Sequence, residues 1–390
     1  MGKRVCFVAT LPITLRTFVS PQAEYLLSQG WDVSWACANE EGFAITLPPG
    51  VRYHSMPFRR GTDLIGVPRA VLSMYRVFRA GGFDIVQYST PNAAFYASTA
   101  AWLARVPVRL YAQWGIRYVG FSGLKRWLFK RVESWTCARS TIIEPDSQGN
   151  VEFSVAEGLY PRAKARVIWN GSACGIDLER FSISKKPDWR SKWREQLGLD
   201  TDSLVVGFVG SLRRDKGCNE LLAAFLSVSA DFPKARLLLV GDSDFLDTIE
   251  PELRQWMTQS DQVVHAGMTS AVPEHMACMD VLVLPSYREG FGMVVIEAEA
   301  MGVPVIVSDV PGPTDAMRPG ETGMVVPARD PYALADALRT MLDDETLRER
   351  MGVAAVRFAR SGFEQREFLR RAEQDKRELL HHYRESEPLG

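Results

Sequence analysis

The sequence contains few of the residues that build metal centres and disulfide frameworks. Six cysteines and five histidines are spread over 390 residues, without a Cys-x-x-Cys pair and without a histidine cluster beside a cysteine. Structural zinc sites and disulfide-rich secreted domains depend on such spacings, so the sequence argues against both classes. We expect a reducing, cytoplasmic compartment and no bound metal.

Long apolar runs are also missing. No stretch approaches the roughly 18 uninterrupted apolar residues that a membrane-spanning helix needs. The apolar run over residues 5–11 is too short for the apolar region of a signal peptide with its cleavage site, and it predicts a first buried strand. Attachment to a membrane surface stays open.

Neither sign of charge dominates, since 46 Lys and Arg residues face 47 Asp and Glu residues and the formal net charge is −1. Nucleic-acid-binding domains usually carry a clear basic excess, so we expect no nucleic-acid partner. The balance hides an uneven distribution: residues 1–200 hold 26 basic and 16 acidic side chains, a net +10, while residues 201–390 hold 20 and 31, a net −11. The first half therefore suits an anionic partner.

Length and patterning indicate two α/β units. The chain is two to three times the roughly 150 residues of a typical domain, and 46% hydrophobic with 24% charged residues is typical of a globular protein. Short apolar runs alternate with helix-like segments, which predicts parallel strands buried between helices. The expected fold class is α/β, with two doubly wound, Rossmann-like units whose ligands bind in the central cleft, beyond the carboxyl ends of the strands.

The pattern assigns five strands and several helices to each half. The predicted strands span residues 5–9, 33–36, 85–88, 108–112, 141–143, 204–209, 237–240, 263–265, 281–284 and 305–307. The predicted helices span residues 21–29, 68–80, 93–104, 124–137, 219–230, 252–259, 272–278, 293–301 and 332–342. Residues 171–202 have the Ser-, Lys-, Asp- and Pro-containing composition of a linker. We predict a first, acceptor-side domain over residues 1–185, a second, donor domain over 186–365, and an amphipathic surface helix with a tail over 366–390.

The most informative stretch covers residues 284–306. A predicted strand ends, a glycine-bearing loop follows, and a helix begins near Gly292. Glycine lets the backbone approach a ligand, and the free N–H groups of Met293 and Val294 at a helix N-terminus favour phosphate.

Two glutamates in this stretch could bind sugars. Glu289, in the loop, can accept hydrogen bonds from sugar hydroxyls, and Glu297, inside the helix, can accept them from a ribose. Solvated acidic residues at a helix start would look the same for either glutamate alone. Their occurrence together with Gly-Phe-Gly and Gly-Val-Pro favours a binding site.

A second informative stretch covers residues 207–217 and also follows a predicted strand. It supplies Arg213, Arg214 and Lys216 between flanking glycines, just before a helix. Arg and Lys can balance the charge of a diphosphate without a metal. Cations in a surface loop are usually solvated, but the position at a strand end favours a binding role.

The order of these motifs resembles the retaining family 4 glycosyltransferases of the GT-B fold. Residues 209–217 read Val-Gly-x-Leu-x-x-Asp-Lys-Gly, residues 285–292 read Pro-Ser-x-x-Glu-Gly-Phe-Gly, and residues 302–309 read Gly-Val-Pro-Val-Ile-x-Ser-Asp. In the first half, residues 89–93 (Ser-Thr-Pro-Asn-Ala) and 175–181 (Gly-Ile-Asp-Leu-Glu-Arg-Phe) resemble the capsule and O-antigen branch. The resemblance extends from about residue 4 to residue 345.

This resemblance implies roles for the residues in the second half. Lys216, together with Arg213 or Arg214, would hold the diphosphate of a nucleotide-sugar donor, Glu297 would bind the ribose, and Glu289 would meet the donor sugar. The family usually has arginine directly after the first glycine, where this chain has serine, so the choice between the two arginines stays open. The further nucleotide-binding positions implied are Gly210, Ser211, Gly241, Ala266, Gly267, Met268, Gly290, Phe291, Gly292, Met293 and Val294.

The acceptor side departs from many relatives. They place a histidine or arginine after the strand that corresponds to residues 108–112, whereas this chain has Gln113 and Trp114, which are neither acids nor bases. Arg117 either assists a phosphate or acceptor or is a solvated surface residue, and Thr14 is a further acceptor-side candidate. Retaining enzymes of this type are thought to use the leaving phosphate as the base, so neither a protein base nor a metal would be required.

The basic first half suggests how an acceptor could be presented. Arg59, Arg60, Arg76 and Arg79 add to a basic, aromatic segment, Lys-Arg-Trp-Leu-Phe-Lys-Arg, at residues 125–131. Such a helix can lie on an anionic membrane surface, although Trp, Leu and Phe at helical spacing also occur in cores.

The expected function is a retaining hexosyltransferase that moves a sugar from a nucleoside diphosphate, UDP by expectation, to a glycan or polyprenyl-diphosphate-linked glycan in cell-surface polysaccharide synthesis. Its expected location is the cytoplasm, at the inner face of the plasma membrane. Two alternatives remain: a sugar-nucleotide epimerase or hydrolase on the same fold, and a non-catalytic subunit that binds the sugar nucleotide.

Overall fold

The computed structural model describes residues 2–40, 43–58 and 66–386. They form two compact units: the first comprises the residues up to Gly175 and those from Arg366 onward, and the second comprises Ile176–Gln365. The chain passes from the first unit to the second between Gly175 and Ile176. This point lies ten residues before the boundary at 185/186 that we expected from composition. The reason is that Ile176 is already bonded into the second unit, where its N–H donates to the Phe363 carbonyl at 2.7 Å and its carbonyl accepts from Gln365 N–H at 3.0 Å.

The first unit contains a six-stranded parallel sheet in the order β3-β2-β1-β4-β5-β6. Its strands are β1 (Arg4–Val8), β2 (Asp32–Ala38), β3 (Arg52–Met56), β4 (Ile85–Tyr88), β5 (Val108–Gln113) and β6 (Ile142–Pro145). Its helices are α1 (Pro12–Thr14), α2 (Ser20–Ser28), α3 (Val67–Gly81), α4 (Pro91–Leu103), α5 (Gly123–Arg139) and α6 (Gln148–Ala156).

The second unit contains another six-stranded parallel sheet, in the order β12-β11-β10-β7-β8-β9. Its strands are β7 (Leu204–Val209), β8 (Ala235–Val240), β9 (Val263–Gly267), β10 (Val281–Leu284), β11 (Val305–Ser308) and β12 (Gly323–Val326). Its helices are α7 (Lys186–Gln196), α8 (Cys218–Ser229), α9 (Pro251–Gln259), α10 (Val272–Cys278), α11 (Met293–Ala300), α12 (Pro331–Asp343) and α13 (Glu345–Gly362).

The predicted α/β class with two doubly wound parallel sheets is confirmed. The central strands are apolar and fully buried, as strands covered by helices on both faces must be: every residue of β4, β10 and β11 is buried. The sequence missed the edge strands β3 and β12. β3 reads Arg-Tyr-His-Ser-Met and is mostly not fully buried, so it lacks the apolar run that marks a central strand.

The stretch predicted as a linker contains a helix instead. Within residues 171–202, α7 packs Trp189 and Trp193 against the core of the second unit. Arg194 is almost completely buried and donates to Asp280 Oδ2 at 2.9 Å and to the Cys278 carbonyl. The polar composition therefore reflects a helix held by ion pairs.

The last helix, α14 (Gln365–Ser386), returns the chain to the first unit. It is amphipathic, as predicted: Phe368, Leu369 and Ala372 are buried together with Ile168. Trp31 Nε1 donates to Glu373 on α14 at 3.0 Å. Within the described residues, no helix is both long and apolar enough to cross a membrane.

Candidate active site

The carboxyl ends of three adjacent strands of the second unit carry the predicted site residues. Gly210 follows β7, Gly241 follows β8, and the loop of residues 285–292 follows β10. The loops are tied together by backbone hydrogen bonds, since Gly210 N–H donates to Val240 and Gly241 N–H donates to Gly267. Parallel strands end at one edge of a sheet, which is why residues far apart in sequence meet here.

Glu289 lies at the centre of this edge. Lys216 Nζ is 2.5 Å from Glu289 Oε1, and Ser286 Oγ donates to the same oxygen at 2.8 Å. Both side chains of the Lys216–Glu289 pair are largely buried. Within residues 2–40, 43–58 and 66–386, Glu289 Oε2 makes no hydrogen bond, so one carboxylate oxygen is fixed and the other can accept from a ligand.

Gly217 permits the close approach that brings Lys216 to Glu289. Its φ is +74°, and a Cβ at this position would lie 2.0 Å from the Pro285 carbonyl oxygen. Only glycine combines this left-handed backbone with such proximity. The glycine that ends the Asp-Lys-Gly motif is therefore required by packing between the loops after β7 and β10.

The two arginines beside Lys216 have different surroundings. Arg213 Nε is 2.8 Å from Asp215 Oδ1, and Arg288 Nη2 is 2.9 Å from Asp215 Oδ2, so one carboxylate holds two guanidinium groups. Arg214 is exposed and lies near the Tyr287 hydroxyl, where burial raises the tyrosine pKa to about 12 and Arg214 opposes the rise.

Helix α11 begins directly after the loop. Its N-cap is Gly292, with φ +82°, so the N–H groups of Met293 and Val294 lie in the first turn, where helix donors lack intrahelical acceptors. Phe291 is buried and packs on Phe363, with the ring centroids 5.4 Å apart. The buried ring anchors the loop to the core.

Glu297 lies one turn into α11. Burial raises its pKa to about 7, and the charge of Arg180 opposes this rise. A carboxylate with this pKa is only partly ionised at neutral pH. Binding of hydroxyl donors to its charged form would complete the ionisation.

Three of the predicted nucleotide-binding positions lie at the end of β9. Ala266 and Gly267 are the last two residues of this strand, and Met268 follows with 80% of its surface exposed. The Gly267 carbonyl accepts from Gly241, and Ser211 Oγ donates to Asp242 at 2.5 Å. This part of the edge therefore offers backbone groups and an apolar side chain.

Comparison with known proteins gives matches along most of the chain. The sequence family described as Glycosyl transferase 4-like domain matches residues 14–171, and the family described as Glycosyl transferases group 1 matches residues 190–358. The chain belongs to the family 4 glycosyltransferases of the GT-B fold. It is therefore an enzyme of the hexosyltransferase type.

Individual relatives of this glycosyltransferase cover nearly its whole length. The capsular polysaccharide biosynthesis glycosyltransferase CapM of Staphylococcus aureus is 29% identical over 331 residues, 85% of this chain and 86% of CapM. An Escherichia coli enzyme named UDP-Gal:alpha-D-GlcNAc-diphosphoundecaprenol alpha-1,3-galactosyltransferase is 26% identical and covers 83% of both chains. The structure of Anabaena HepE in complex with UDP and glucose shares the fold, with a TM-score of 0.78, 20% identity, and coverage of 96% of this chain and 99% of HepE.

The acceptor-side candidates of the glycosyltransferase lie in the first unit, and Gln113 is part of its core. Gln113 is fully buried; its Nε2 donates to Glu133 at 2.7 Å, and its Oε1 accepts from the Tyr160 hydroxyl at 2.9 Å. Burial raises the pKa of Glu133, and the hydrogen bonds from Gln113 and Tyr111 oppose the rise. The Gln113 amide thus provides a hydrogen-bond partner for the buried carboxyl group of Glu133, so Gln113 has a structural role.

The other three candidates are half-buried. Trp114 packs on Phe18, with centroids 5.7 Å apart. Arg117 donates to Asn92 at 3.2 Å. Thr14 ends the short helix α1.

Three polar residues of the site were not assigned a role from the sequence. Ser286, Asp215 and Arg288 all lie inside the two motif stretches, but a motif identifies a loop without showing which side chains bond to each other. The available signal for Asp215 was its place as the single acidic residue among three basic residues at positions 213–216. The structure adds that Arg288 lies on the same carboxylate as Arg213.

Proposed function

We propose that this glycosyltransferase transfers a hexosyl unit from a UDP-sugar, with retention of configuration, to a hydroxyl of a polyprenyl-diphosphate-linked glycan. The observation that carries the proposal is the Lys216–Ser286–Glu289 cluster, in which one carboxylate oxygen is fixed by two donors. The names of CapM and of the galactosyltransferase support a role in cell-surface polysaccharide synthesis, and the UDP bound by HepE supports the choice of nucleotide.

We assign each residue of the site a role in the proposed reaction. Glu289 Oε2 accepts a hydrogen bond from a hydroxyl of the donor sugar and thereby fixes the orientation of the sugar. Lys216 and one of the neighbouring arginines, with the N–H groups of Met293 and Val294, stabilise the negative charge that grows on the diphosphate as the glycosidic bond breaks. The leaving phosphate takes the proton of the acceptor hydroxyl, so no side chain acts as the base.

We also propose that the enzyme associates with an anionic membrane surface through α5. Leu124, Trp127 and Leu128 are 80%, 59% and 52% exposed, so they are not core residues. Lys125 and Arg131 are exposed on the same helix. Apolar side chains flanked by cations suit the headgroup region of an anionic bilayer. Phe129, in the same segment, packs inward against Phe121, and the two ring centroids are 4.9 Å apart. Arg59 and Arg60, the other cations expected in this half, lie outside the described residues.

The first experiment is a binding screen of the full chain with UDP-, GDP- and dTDP-sugars. A ligand that binds only the folded protein raises its melting temperature, and we expect a UDP-sugar to give the largest rise. Transfer is then measured with a short-chain prenyl-diphosphate-linked sugar, with and without EDTA, and the anomeric configuration of the product is determined by NMR. We expect a retained anomer and equal rates with the chelator.

Each competing function has its own outcome in this experiment. Consumption of the sugar nucleotide without an acceptor would identify an epimerase or hydrolase. Donor binding without transfer to any glycan or lipid-linked acceptor would indicate a non-catalytic subunit. A product with inverted configuration would overturn the proposed mechanism while leaving the glycosyltransferase activity.

A further inference from the structure

Two adjacent ion pairs join the loops that follow β7 and β10. Lys216 pairs with Glu289, and one residue earlier in each loop Asp215 pairs with Arg288, whose Nη2 is 2.9 Å from Asp215 Oδ2. The backbones meet at the same place, since the Tyr287 N–H donates to the Asp215 carbonyl at 3.0 Å. The two pairs have opposite polarity, so each loop contributes one cation and one anion. The proposed function uses the Lys216–Glu289 pair and gives the Asp215–Arg288 pair no role.

Asp215 also holds a second guanidinium group. Arg213 Nε is 2.8 Å from Asp215 Oδ1, while Arg288 lies against Oδ2. About one third of each of the three side chains is exposed, so water screens their charges only in part. Two positive charges face one negative charge, and the cluster therefore keeps an excess of one positive charge. Without the carboxylate, the two guanidinium groups would repel each other.

Arg213 is held on two sides. Besides the contact with Asp215, its guanidinium carbon lies 5.8 Å from the centroid of the Phe245 ring, which belongs to the loop after β8. Because Arg213 meets the carboxylate through Nε, this contact does not engage the outer Nη1–Nη2 edge of the guanidinium. That planar edge can donate to two phosphate oxygens at once. A guanidinium fixed in this way loses less conformational freedom when it binds a ligand.

Arg214 has different surroundings. Its side chain is exposed and lies near the Tyr287 hydroxyl, and that hydroxyl donates to Glu220 at 2.7 Å. In the part of the chain that the structure describes, no carboxylate forms an ion pair with Arg214. An exposed arginine without such a clamp has many side-chain rotamers, so ordering it on a ligand costs more conformational entropy. The structure therefore distinguishes two arginines that the sequence left equivalent.

We propose that Asp215 is a positioning residue of the transfer reaction, which turns the outer edge of Arg213 toward the donor diphosphate. Arg288 holds the second oxygen of Asp215 and thereby fixes the direction of this carboxylate. The inference rests on the proposed function and selects Arg213 instead of Arg214 as the cation that acts beside Lys216. Asp215 does not contact the donor, because a guanidinium group lies against each of its oxygens.

Charge and position predict opposite effects of Asp215→Asn. If charge alone mattered, an anionic donor would bind more tightly when a nearby carboxylate is removed. If Asp215 positions Arg213, the same substitution should weaken binding several-fold. The asparagine keeps the backbone carbonyl that accepts from Tyr287, so the loops stay in register. Calorimetry with UDP and the full chain measures the sign of the effect, and an unchanged or stronger affinity would overturn the proposal.

A double-mutant cycle identifies the residue through which Asp215 acts. Arg213→Gln should weaken UDP binding about tenfold or more, the loss expected for a charge-assisted contact, and Arg214→Gln should weaken it about twofold or less. Asp215→Asn should cause no further loss in the Arg213→Gln background. Additive losses would show that Asp215 acts through the loop of Glu289 and would overturn the assignment to Arg213. A larger loss in Arg214→Gln than in Arg213→Gln would overturn it too.

Asp244→Asn is the matched control for the loss of a carboxylate. Asp244 is exposed in the loop after β8, and within the described residues it forms no ion pair with an arginine. Its substitution should leave the UDP affinity unchanged or slightly stronger. A loss equal to that of Asp215→Asn would reduce the effect to the general charge of these loops and would contradict the positioning role.

Turnover separates this inference from the proposed function. With a prenyl-diphosphate-linked acceptor, Asp215→Asn should lower kcat/KM for the donor several-fold and Arg213→Gln about tenfold, and both should leave the acceptor KM unchanged. Normal donor kinetics in both variants would remove the inference and keep the function. UDP binding that depends on both residues, in a chain that transfers no sugar, would remove the function and keep the inference. A chain that binds none of UDP, GDP and dTDP would overturn both.

Discussion

Two donors meet a single oxygen atom of Glu289, and this arrangement determines what the carboxylate can do. Lys216 and Ser286 both contact Oε1, so the ammonium lowers the negative charge of the group while the hydroxyl fixes its direction. A free glutamate would have to be ordered when the donor binds. If Glu289 binds the donor sugar as proposed, the cluster orients it in advance, which lowers the entropic cost of reaching the reactive geometry.

Lys216→Ala and Glu289→Gln should each lower kcat/KM for the donor about 100-fold or more, the effect expected when one preorganised charge contact in an active site is lost. The melting temperature should fall as well, because both side chains are largely buried and each substitution leaves a partner unpaired, but the variants should still fold. Lys234→Ala is the control, since Lys234 is an exposed lysine of the second unit paired with Asp202. Steady-state kinetics and melting curves on the three variants check the assignment, and wild-type turnover in the first two would contradict it.

Glu297 predicts a pH dependence of donor binding. Burial raises its pKa to about 7, so in the free enzyme the carboxyl group is mostly protonated at pH 6 and mostly ionised at pH 8. If the ionised form accepts the ribose hydroxyls, donor affinity weakens as the pH falls through 7, by nearly tenfold per pH unit once below it. Glu297→Gln should abolish this dependence, and a wild-type donor Kd that stays constant from pH 6 to pH 8 would contradict the assignment.

The Glu297 carboxyl group also affects the stability of the fold, and for stability the protonated form is the favourable one. Its folded-state pKa lies above the ordinary glutamate value of 4.5, so the contribution of Glu297 to stability is fully present below pH 4.5 and is lost as the pH rises through about 7. Glu297→Gln should therefore unfold at higher denaturant concentration than the wild type at pH 8. Urea titrations at pH 5 and pH 8 measure the difference.

The sequence predicted which loops form the site but not how their side chains pair. The strand-end positions of Lys216 and Glu289 follow from apolar runs that end at glycine-bearing loops. The bonds of Lys216 to Glu289 and of Asp215 to Arg288 each join two loops that are 73 residues apart in the chain, and Ser286 bonds to Glu289 within its own loop. Gln113 shows the converse: its position after the predicted strand 108–112 suggested an acceptor contact, whereas Gln113 is the last residue of β5 and its amide bonds to the buried Glu133 and Tyr160.

At the scale of elements, the central strands and the edge strands β6 and β9 were predictable, whereas the edge strands β3 and β12 and helix α7 were not. A strand buried on both faces must be apolar, so β4, β7 and β10 have the bounds expected from the sequence. β3 lies at a sheet edge, where polar residues are tolerated, and its pattern resembles a loop. In α7, Trp189 and Trp193 have the four-residue spacing of a helix face, but the surrounding charges concealed this signal.

Helix α5 leads to a prediction about membrane binding. Trp127→Ala and Leu128→Ala remove exposed apolar side chains, so the double variant should bind anionic vesicles several-fold more weakly while folding normally. Co-sedimentation with phosphatidylglycerol-containing and pure phosphatidylcholine vesicles measures the effect. Tyr332→Ala is the control, because Tyr332 is an exposed aromatic residue of the second unit. Equal binding to both vesicle types, or equal binding by the double variant, would contradict the role of α5.

At the scale of the whole molecule, the chain crosses from the first unit to the second and back. The near-zero net charge combines a basic first half with an acidic second half. Under the proposed function, the basic half suits an anionic acceptor, and in the acidic half Lys216 with Arg213 or Arg214 would supply the cations for the donor diphosphate. The amphipathic pattern of the segment 366–390 predicted a helix with one buried face. It could not show which unit that face covers, because periodicity contains no information about the partner.

The return of α14 predicts that the two units respond differently to one substitution. Phe368 is almost fully buried, in a cluster with Ile168 and Ala372 in which Tyr25 and Trp169 also pack. Phe368→Ala should therefore cost the first unit about 3–5 kcal/mol, the usual loss for a buried phenylalanine. Hydrogen exchange followed by mass spectrometry should show faster exchange in β1 and β2 and unchanged exchange in β7 and β8.

Donor binding provides the second measurement for this variant. The proposed donor residues all belong to the second unit, so Phe368→Ala should retain the wild-type Kd for the sugar nucleotide at temperatures where the second unit stays folded. Val353→Ala, an exposed position on α13, should change neither exchange nor binding. If Phe368→Ala accelerated exchange equally in both sheets, the units would unfold as one cooperative body, and α14 would stabilise the whole enzyme instead of the first unit alone.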